Sequence, residues 1–430
     1  MTKQQKGMFV LGDGRNVLTT FLLITSLFLL WGFCNGMIDI LNKHFQNTLH
    51  ISKAQSGLVQ FANYIGYFLM AVPAGLLAKR FGYKGGILIG LALIAAGAFW
   101  FVPATKIGTY WAFLTGLFIL ATGMTCLETI ANPYATVLGP AQYGAMRINM
   151  AQTFNGVGWI LGPIVGGHFV FSKGGEGAAA SNAGLYIPYM GVAVAVTVLI
   201  VIFAFAYVPD LHNEEEVKSE ASGKAVKPLW QRHHFTTGVL TQFLYVAAQT
   251  GIFSFFINYL VENVHGMTDS TAKNWLGMGG FGLFMAGRAC GSFVVGLTKP
   301  QKALALYATA CFACCLLAMA GLGMVGVVAL FCTFFFMSIM FPTIFALSIR
   351  GLGEHTKMGS SLIVMSIVGG AIAPPFMGWI ADHSSMKVGF LVPTVCFVFI
   401  AAYGLLWKRL EQRDASDGAD DEPITIRPAH

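Results

Sequence analysis

Residues 110–137 read YWAFLTGLFILATGMTCLETIANPYATV, and Glu128 is their only charged side chain. As a helix rising 1.5 Å per residue, this stretch crosses ~30 Å of hydrocarbon with residues to spare. A carboxyl group inside a membrane span is costly, and where one is kept it faces a cavity or a partner and does chemistry. One stretch therefore suggests a helix that crosses a bilayer and carries a buried acid.

The rest of the chain repeats the pattern. Apolar segments bounded by charged or turn residues occur at 17–41, 55–78, 85–104, 143–171, 184–208, 235–262, 271–297, 302–322, 325–349, 357–381 and 387–407. With 110–137 they make twelve spans, and the expected fold is an all-α membrane protein with twelve transmembrane helices. Composition agrees: of 430 residues, 56% are hydrophobic and 10% charged, against about a quarter charged in soluble domains. The net charge of +7 does not point to nucleic acid, because Lys and Arg fall in short runs between spans rather than in one basic patch. The polar start leads directly into the first apolar segment without a small-residue cleavage site, so that segment is expected to stay as the first span.

Loop charges set the orientation. Segments on one side hold nineteen of the 26 Lys and Arg, the other side six, and Arg288 lies within a span. An excess of Lys and Arg marks the cytoplasmic side, so both termini are expected there, in a bacterial inner membrane. The expected organisation is a cytoplasmic segment 1–16, a six-helix bundle 17–208, a linker 209–234, a second bundle 235–408 and an acidic tail 409–430 without apolar periodicity. The halves echo each other: Gly66, Phe68 and Gly75 recur as Gly282, Phe284 and Gly291, Asn132-Pro133 as Phe341-Pro342, and Pro163 as Pro375. Two six-helix pseudo-repeats in parallel, with substrate held between them, is the arrangement of major facilitator transporters.

Of the nineteen acids, only Asp39 and Glu128 fall clearly within spans. Asn35 precedes Asp39 by one turn; Thr125 and Asn132 flank Glu128. A carboxyl in a low-dielectric cavity can exchange a proton near neutral pH, as ion coupling requires. Polar residues also recur at helical spacing: Gln60, Asn63, Tyr64 and Tyr67; Asn149, Gln152, Asn155 and Trp159; Gln242, Tyr245 and Gln249, with Phe253 and Phe256 beyond. Amides donate and accept, and aromatic rings cover the C–H face of a sugar. Few charges and many amides suit a neutral polyhydroxylated solute; an anion would want arginines, and Arg288 is the lone candidate. Cys311, Cys314 and Cys315 lack a neighbouring His or acid on their segment and read as buried small residues rather than a metal cluster.

Three runs carry a specific resemblance. NGMIDIL at 35–41, CLETIANP at 126–133 and NMAQTFN at 149–155, with YVAAQT at 245–250 and PTIF at 342–345, resemble the fucose–proton symporter family of the major facilitator superfamily. The likeness runs from about residue 20 to 405. It implies uptake of a hexose with a proton by alternating access, with Asp39 as proton carrier, Glu128 linking sugar recognition to coupling, and Gln152, Asn155 and Gln249 at sugar contacts. Two departures stand out. Lys79 occupies a position where the superfamily's loop signature usually has an acid, which puts the usual salt-bridge gate in doubt. Gly36, Met37 and Asn63 change the expected cavity lining, so a glucose/galactose-type hexose is expected rather than fucose.

The expected site therefore comprises Asp39 and Glu128 for proton coupling. For substrate it comprises Asn35, Gln60, Asn63, Tyr64, Glu128, Asn132, Gln152, Asn155, Trp159, Tyr245, Gln249 and Phe253. Sodium coupling stays open, since Asp39 and neighbouring oxygens would also suit a hard cation. An enzyme would need a nucleophile–base pair or metal ligands; His168, well inside a span, comes with no such motif. No cofactor and no metal are expected, and the partners are a hexose, a proton or sodium, and membrane lipid, with the protein a monomer.

Overall fold

The computed structural model describes residues 7–11, 13–48, 58–171, 186–209 and 228–419. Regular structure there is helical, apart from one isolated bridge between Val10 and Asn16. The principal helices are α1 (Leu18–Thr48), α2 (Leu58–Ile107), α3 (Tyr110–Val137), α4 (Gly144–Phe171), α5 (Tyr186–Phe205), α6 (His233–Asn263), α7 (Phe281–Leu297), α8 (Pro300–Met319), α9 (Met324–Met337), α10 (Met340–Ile349), α11 (Thr356–Met365), α12 (Gly369–His383) and α13 (Leu391–Ala419).

Ten stretches among the described residues are long and apolar enough to cross a membrane. One of them, Phe61–Ile107, is 47 residues long, enough for two crossings. The expected second and third spans meet in it at Gly82, whose φ of 71° and ψ of −179° turn the chain. That left-handed φ suits glycine, which carries no Cβ to clash. Helix α4 is a further 28-residue helix lying along α1. Counting the long stretch twice and adding α4 accounts for the twelve expected spans.

Three spans that the sequence presents as single helices are interrupted. The eighth passes from a short helix, Asp269–Asn274, through a π-helical turn, Trp275–Gly280, into α7. The tenth breaks between α9 and α10, and the eleventh between α11 and α12 at a 3-10 turn, Ser366–Val368. The α9–α10 break has a visible use. The carbonyls of Met337 and Ser338 there accept from the Tyr245 hydroxyl at 3.0 Å and from Arg288 Nε at 3.0 Å, and that of Ser338 is open because Pro342, four residues on, has no N–H. Irregular backbone at membrane depth persists where protein groups satisfy it. The sequence also misses the far end of the last span: α13 runs to Ala419, so the tail expected to begin at 409 is helical for its first turns. Asp414 tethers those turns to the start of α6.

Small residues set the tightest seams. On α1 and α4, a Cβ at Gly158 would overlap the Leu29 carbonyl, one at Gly162 would come 2.5 Å from the Phe33 carbonyl, and one at Gly32 would overlap the Asn155 carbonyl. Between apolar helices in lipid, close backbone approach of this kind drives association. Many large apolar side chains point outward, among them Phe205, Leu297 and Met278, all more than 80% exposed, as lipid-facing surface requires.

Helix α11 packs on α2 and α3, joining the later part of the chain to the earlier part near the Gly82 turn. Ser360 Oγ donates to the Thr129 carbonyl at 2.6 Å, and the Lys357 ammonium lies 5.0 Å from the centre of the Tyr83 ring. A Cβ at Gly75 would overlap Ser361 Oγ. Where the loop signature would lead one to look for a salt bridge, this chain places a cation on an aromatic face. Replacing Gly158 by valine should prevent the α1–α4 seam from closing; loss of the monodisperse peak in detergent size-exclusion chromatography is the expected result.

Candidate functional site

The site begins at Glu128, which is 1% exposed inside the bundle. Its carboxyl is hydrogen-bonded to the Tyr67 hydroxyl of α2, and that hydroxyl also pairs with Asn35 of α1. Trp31 Nε1 donates to the Tyr67 oxygen at 2.9 Å, and Asn35 Nδ2 donates to the Trp31 carbonyl at 3.1 Å. Trp31 and Asn35 meet one hydroxyl because residues four apart share a helix face.

The same rule places Asn132 beside Glu128, one turn further along α3. Asn132 Oδ1 accepts from Gln152 Nε2 of α4 at 3.2 Å. Arg288 of α7 then reaches Gln152, with Nη1 donating to its carbonyl at 2.9 Å and lying 3.4 Å from Oε1. Arg288 is 5% exposed, and its guanidinium lies 4.7 Å from the centre of the Phe284 ring, one turn back. Since Arg288 Nε holds the Ser338 carbonyl, polar groups line up from Trp31 on α1 to the α9–α10 break, with Asn132 Nδ2 standing beside Glu128 but outside hydrogen-bond geometry. Nearby, Asn149 Nδ2 lies 3.3 Å from Thr343 Oγ1 of α10.

Several buried polar atoms in this region have no hydrogen-bond partner among the described residues: Glu128 Oε2, Asn132 Nδ2, Asn63 Oδ1, Asn149 Oδ1 and both amide atoms of Gln242. Native interiors rarely leave such groups unpaired, so each asks for an explanation.

The remaining expected residues fall in different surroundings. Asp39 lies on α1 and Gln60 on α2; their side chains lie outside the described residues, as does that of His168. The Tyr64 hydroxyl reaches α12, 3.2 Å from where a Cβ on Gly370 would sit. Asn155 is turned into the α1–α4 seam, its Nδ2 donating to the Phe28 carbonyl at 3.2 Å. Trp159, two turns along α4 from Gln152, is 42% exposed. Tyr245 is fully buried on the Met337 carbonyl, and Gln249 is half-buried. Phe253 belongs to an aromatic cluster, 5.1 Å from Phe281, 5.7 Å from Phe284 and 5.0 Å from Phe334 between ring centres.

Trp31 and Ser338 were not expected in the site, Tyr67 was read only as part of a polar stripe, and Arg288 only as a lone cation. Trp31 carried a usable signal, since it stands one turn before Asn35 and two before Asp39. Ser338 takes part through its backbone, and its signal was Pro342, four residues on, which has no N–H to pair with that carbonyl.

The Major Facilitator Superfamily model matches residues 17–366. The chain belongs to this superfamily. The L-fucose-proton symporter of Escherichia coli (strain K12) is 40% identical over 408 residues, spanning 90% of this chain and 93% of that protein. The glucose/galactose transporter of Brucella abortus (strain 2308) is 37% identical over 385 residues, 89% of this chain and 92% of that protein. A crystal structure of FucP, a major facilitator transporter, in the outward conformation superposes with a TM-score of 0.81 at 38% identity. It covers 91% of this chain and 99% of the other. Within the superfamily the chain thus belongs with the fucose–proton symporters and their hexose-transporting relatives, whose members are membrane transporters.

Tyr67 holds three partners with one hydroxyl. Replacing it by phenylalanine strands the Trp31 N–H and loosens Glu128, at a cost of about 1–3 kcal/mol. A lowered melting temperature and a shifted Trp emission of the purified protein are expected.

Proposed function

We propose that this chain imports a hexose together with a proton by alternating access across a bacterial inner membrane. The observation that carries the reading is the buried Glu128 carboxyl beside Asn132, whose Oδ1 accepts from Gln152, which in turn is held by Arg288 on the other half of the chain. Such an arrangement lets an event at one acid be felt across the interface between the halves. In this reading the boundary between the halves falls in the 209–234 linker, and both termini are cytoplasmic because the Lys- and Arg-rich loops are.

The sugar is taken to bind between the halves. Its hydroxyl groups supply partners to the buried acceptors left on Glu128, Asn63 and Asn149, and amides such as Gln152 donate and accept in turn. The charge-poor lining favours a neutral solute. The names of the relatives, a fucose symporter and glucose/galactose transporters, agree with a monosaccharide, and we favour the glucose/galactose type. Asp39, two turns from Trp31 on α1, is assigned the travelling proton, and Glu128 the link between sugar and proton. The polar chain is the working part; no cofactor or enzymatic chemistry enters the scheme, and the protein is taken to act as a monomer in lipid.

The conformation fits an outward-open state. Ser360, Lys357 and Ser361 close the halves at the end that bears the Gly82 turn, which the charge rule assigns to the cytoplasm. Import would then proceed by loading from outside, rocking of the halves about the site and release inward.

The direct test is sugar-evoked pH change in lightly buffered, de-energised cells, across glucose, galactose, fucose, mannose and N-acetylglucosamine, with and without sodium. Alkalinisation of the medium by one sugar, independent of sodium, is expected. Sodium-dependent uptake without a pH change would replace the proton by sodium and make Asp39 an ion ligand. Asp39→Asn should abolish uphill accumulation and keep sugar exchange; accumulation against a gradient in that variant would remove Asp39 from the proton path. Arg288→Lys keeps the charge and loses the planar fork that reaches Ser338 and Gln152 together. Exchange slowed about tenfold or more, in line with ~1.5–3 kcal/mol for a charged hydrogen bond, is expected with the melting temperature little changed.

A further inference from the structure

Away from the central site, the start of α6 and the end of α13 meet in a second cluster of titratable groups. His234, 3% exposed, points both ring nitrogens at protein oxygens. Nδ1 lies 2.5 Å from Asp414 Oδ2, and Nε2 lies 2.9 Å from the Arg350 carbonyl. Both oxygens can only accept: one belongs to a carboxylate, the other to a backbone carbonyl. A neutral imidazole has one N–H and one lone pair, so it can satisfy one of these contacts and must repel the other; the doubly protonated ring satisfies both.

The surroundings are built around the Asp414 carboxylate. Asp414 also accepts from the backbone amides of His233 at 2.8 Å and His234 at 3.0 Å. These belong to the first turn of α6, whose N–H groups have no partner within the helix and favour a negative charge. The Tyr403 hydroxyl donates to the His234 carbonyl at 3.1 Å and pairs with Ser348 Oγ at 3.2 Å. Arg350 lies 3.6 Å from Glu411, with its guanidinium 5.3 Å from the centre of the Trp407 ring, and Arg232 donates to the Gly351 carbonyl. The charged and titratable groups around His234 are thus Arg232 and His233 at the start of α6, Arg350 after α10, and Tyr403, Glu411 and Asp414 on α13.

We propose that His234 is a pH-operated clasp that, when doubly protonated, ties the last helix and the 350–351 turn to the start of α6. The turn gives the clasp a target. It carries two glycines with left-handed φ, Gly351 at 73° and Gly353 at 55°, and leads directly into α11, the helix that closes against α2 and α3. The direction follows from the donors: acid closes the clasp, and as pH rises the ring loses one N–H and one of its two contacts. That this face meets the cytoplasm rests on the orientation proposed above; the clasp itself does not, and its test needs no sugar.

The test is hydrogen–deuterium exchange of the full-length protein in lipid nanodiscs, corrected for the intrinsic exchange rate, at about pH 6 and about pH 8.5. Peptides covering the start of α6 and the last turns of α13 should be at least about tenfold less protected at the higher pH, as local opening reports. Peptides from α3 should be unchanged and serve as the control for folding. In His234→Gln, which cannot change protonation, the pH difference should vanish. In Asp414→Asn, protection at the lower pH should fall toward the level seen at the higher one. Equal protection of the wild type at both pH values, or a pH difference surviving in His234→Gln with α3 protected, overturns the proposal.

Discussion

A carboxyl group cannot lie bare in hydrocarbon, and Glu128 makes the surrounding helices answer that constraint. Its neighbours come from separate helices because no single helix offers enough donors in one direction. Tyr67 arrives from α2, held by Trp31 and Asn35 of α1, while Asn132 on Glu128's own helix hands the network on to Gln152 of α4. The α1–α4 glycine seam is part of the same solution, since only close backbone approach brings the α1 and α4 polar groups within reach of one acid.

Arg288 meets the same constraint with the opposite charge. The structure satisfies it with carbonyl oxygens, and one of these, on Ser338, is free because the residue four positions on is Pro342, which has no N–H. Helix regularity is given up at the point where a buried cation needs an acceptor. The break, the arginine and the amide of Gln152 form one construction: Pro342, four residues after Ser338, has no N–H to compete for the carbonyl that Arg288 holds.

The membrane class, the spans and the buried acid Glu128 were legible in the sequence because each rests on a local rule: apolar length, charge count and residues four apart on a face. Asn132, Gln152 and Asn35 were found this way, and the structure joins them to Glu128. Features that depend on a partner from another helix were not legible. Asn155 reads like Gln152 in the sequence, yet it faces α1 and uses its amide in packing. Tyr245 looks available from its stripe and is committed to the Met337 carbonyl, beside a break whose signal, Pro342, was read only as an echo of Pro133. The helical continuation to Ala419 was missed for the same reason: an acidic, aperiodic segment gives no internal cause to be helical, and its anchor is the start of α6, far away in the chain.

The contact between Lys357 and Tyr83 has a consequence for a molecule read as moving protons. A closure fastened by a carboxylate can be undone by the cargo, because each delivered proton can neutralise the acid that holds the halves together. A cation resting on a ring contains no carboxylate for an arriving proton to discharge. The fastening is thereby insulated from acidity, and on the proposed reading a proton taken up at Asp39 or Glu128 leaves that contact in place.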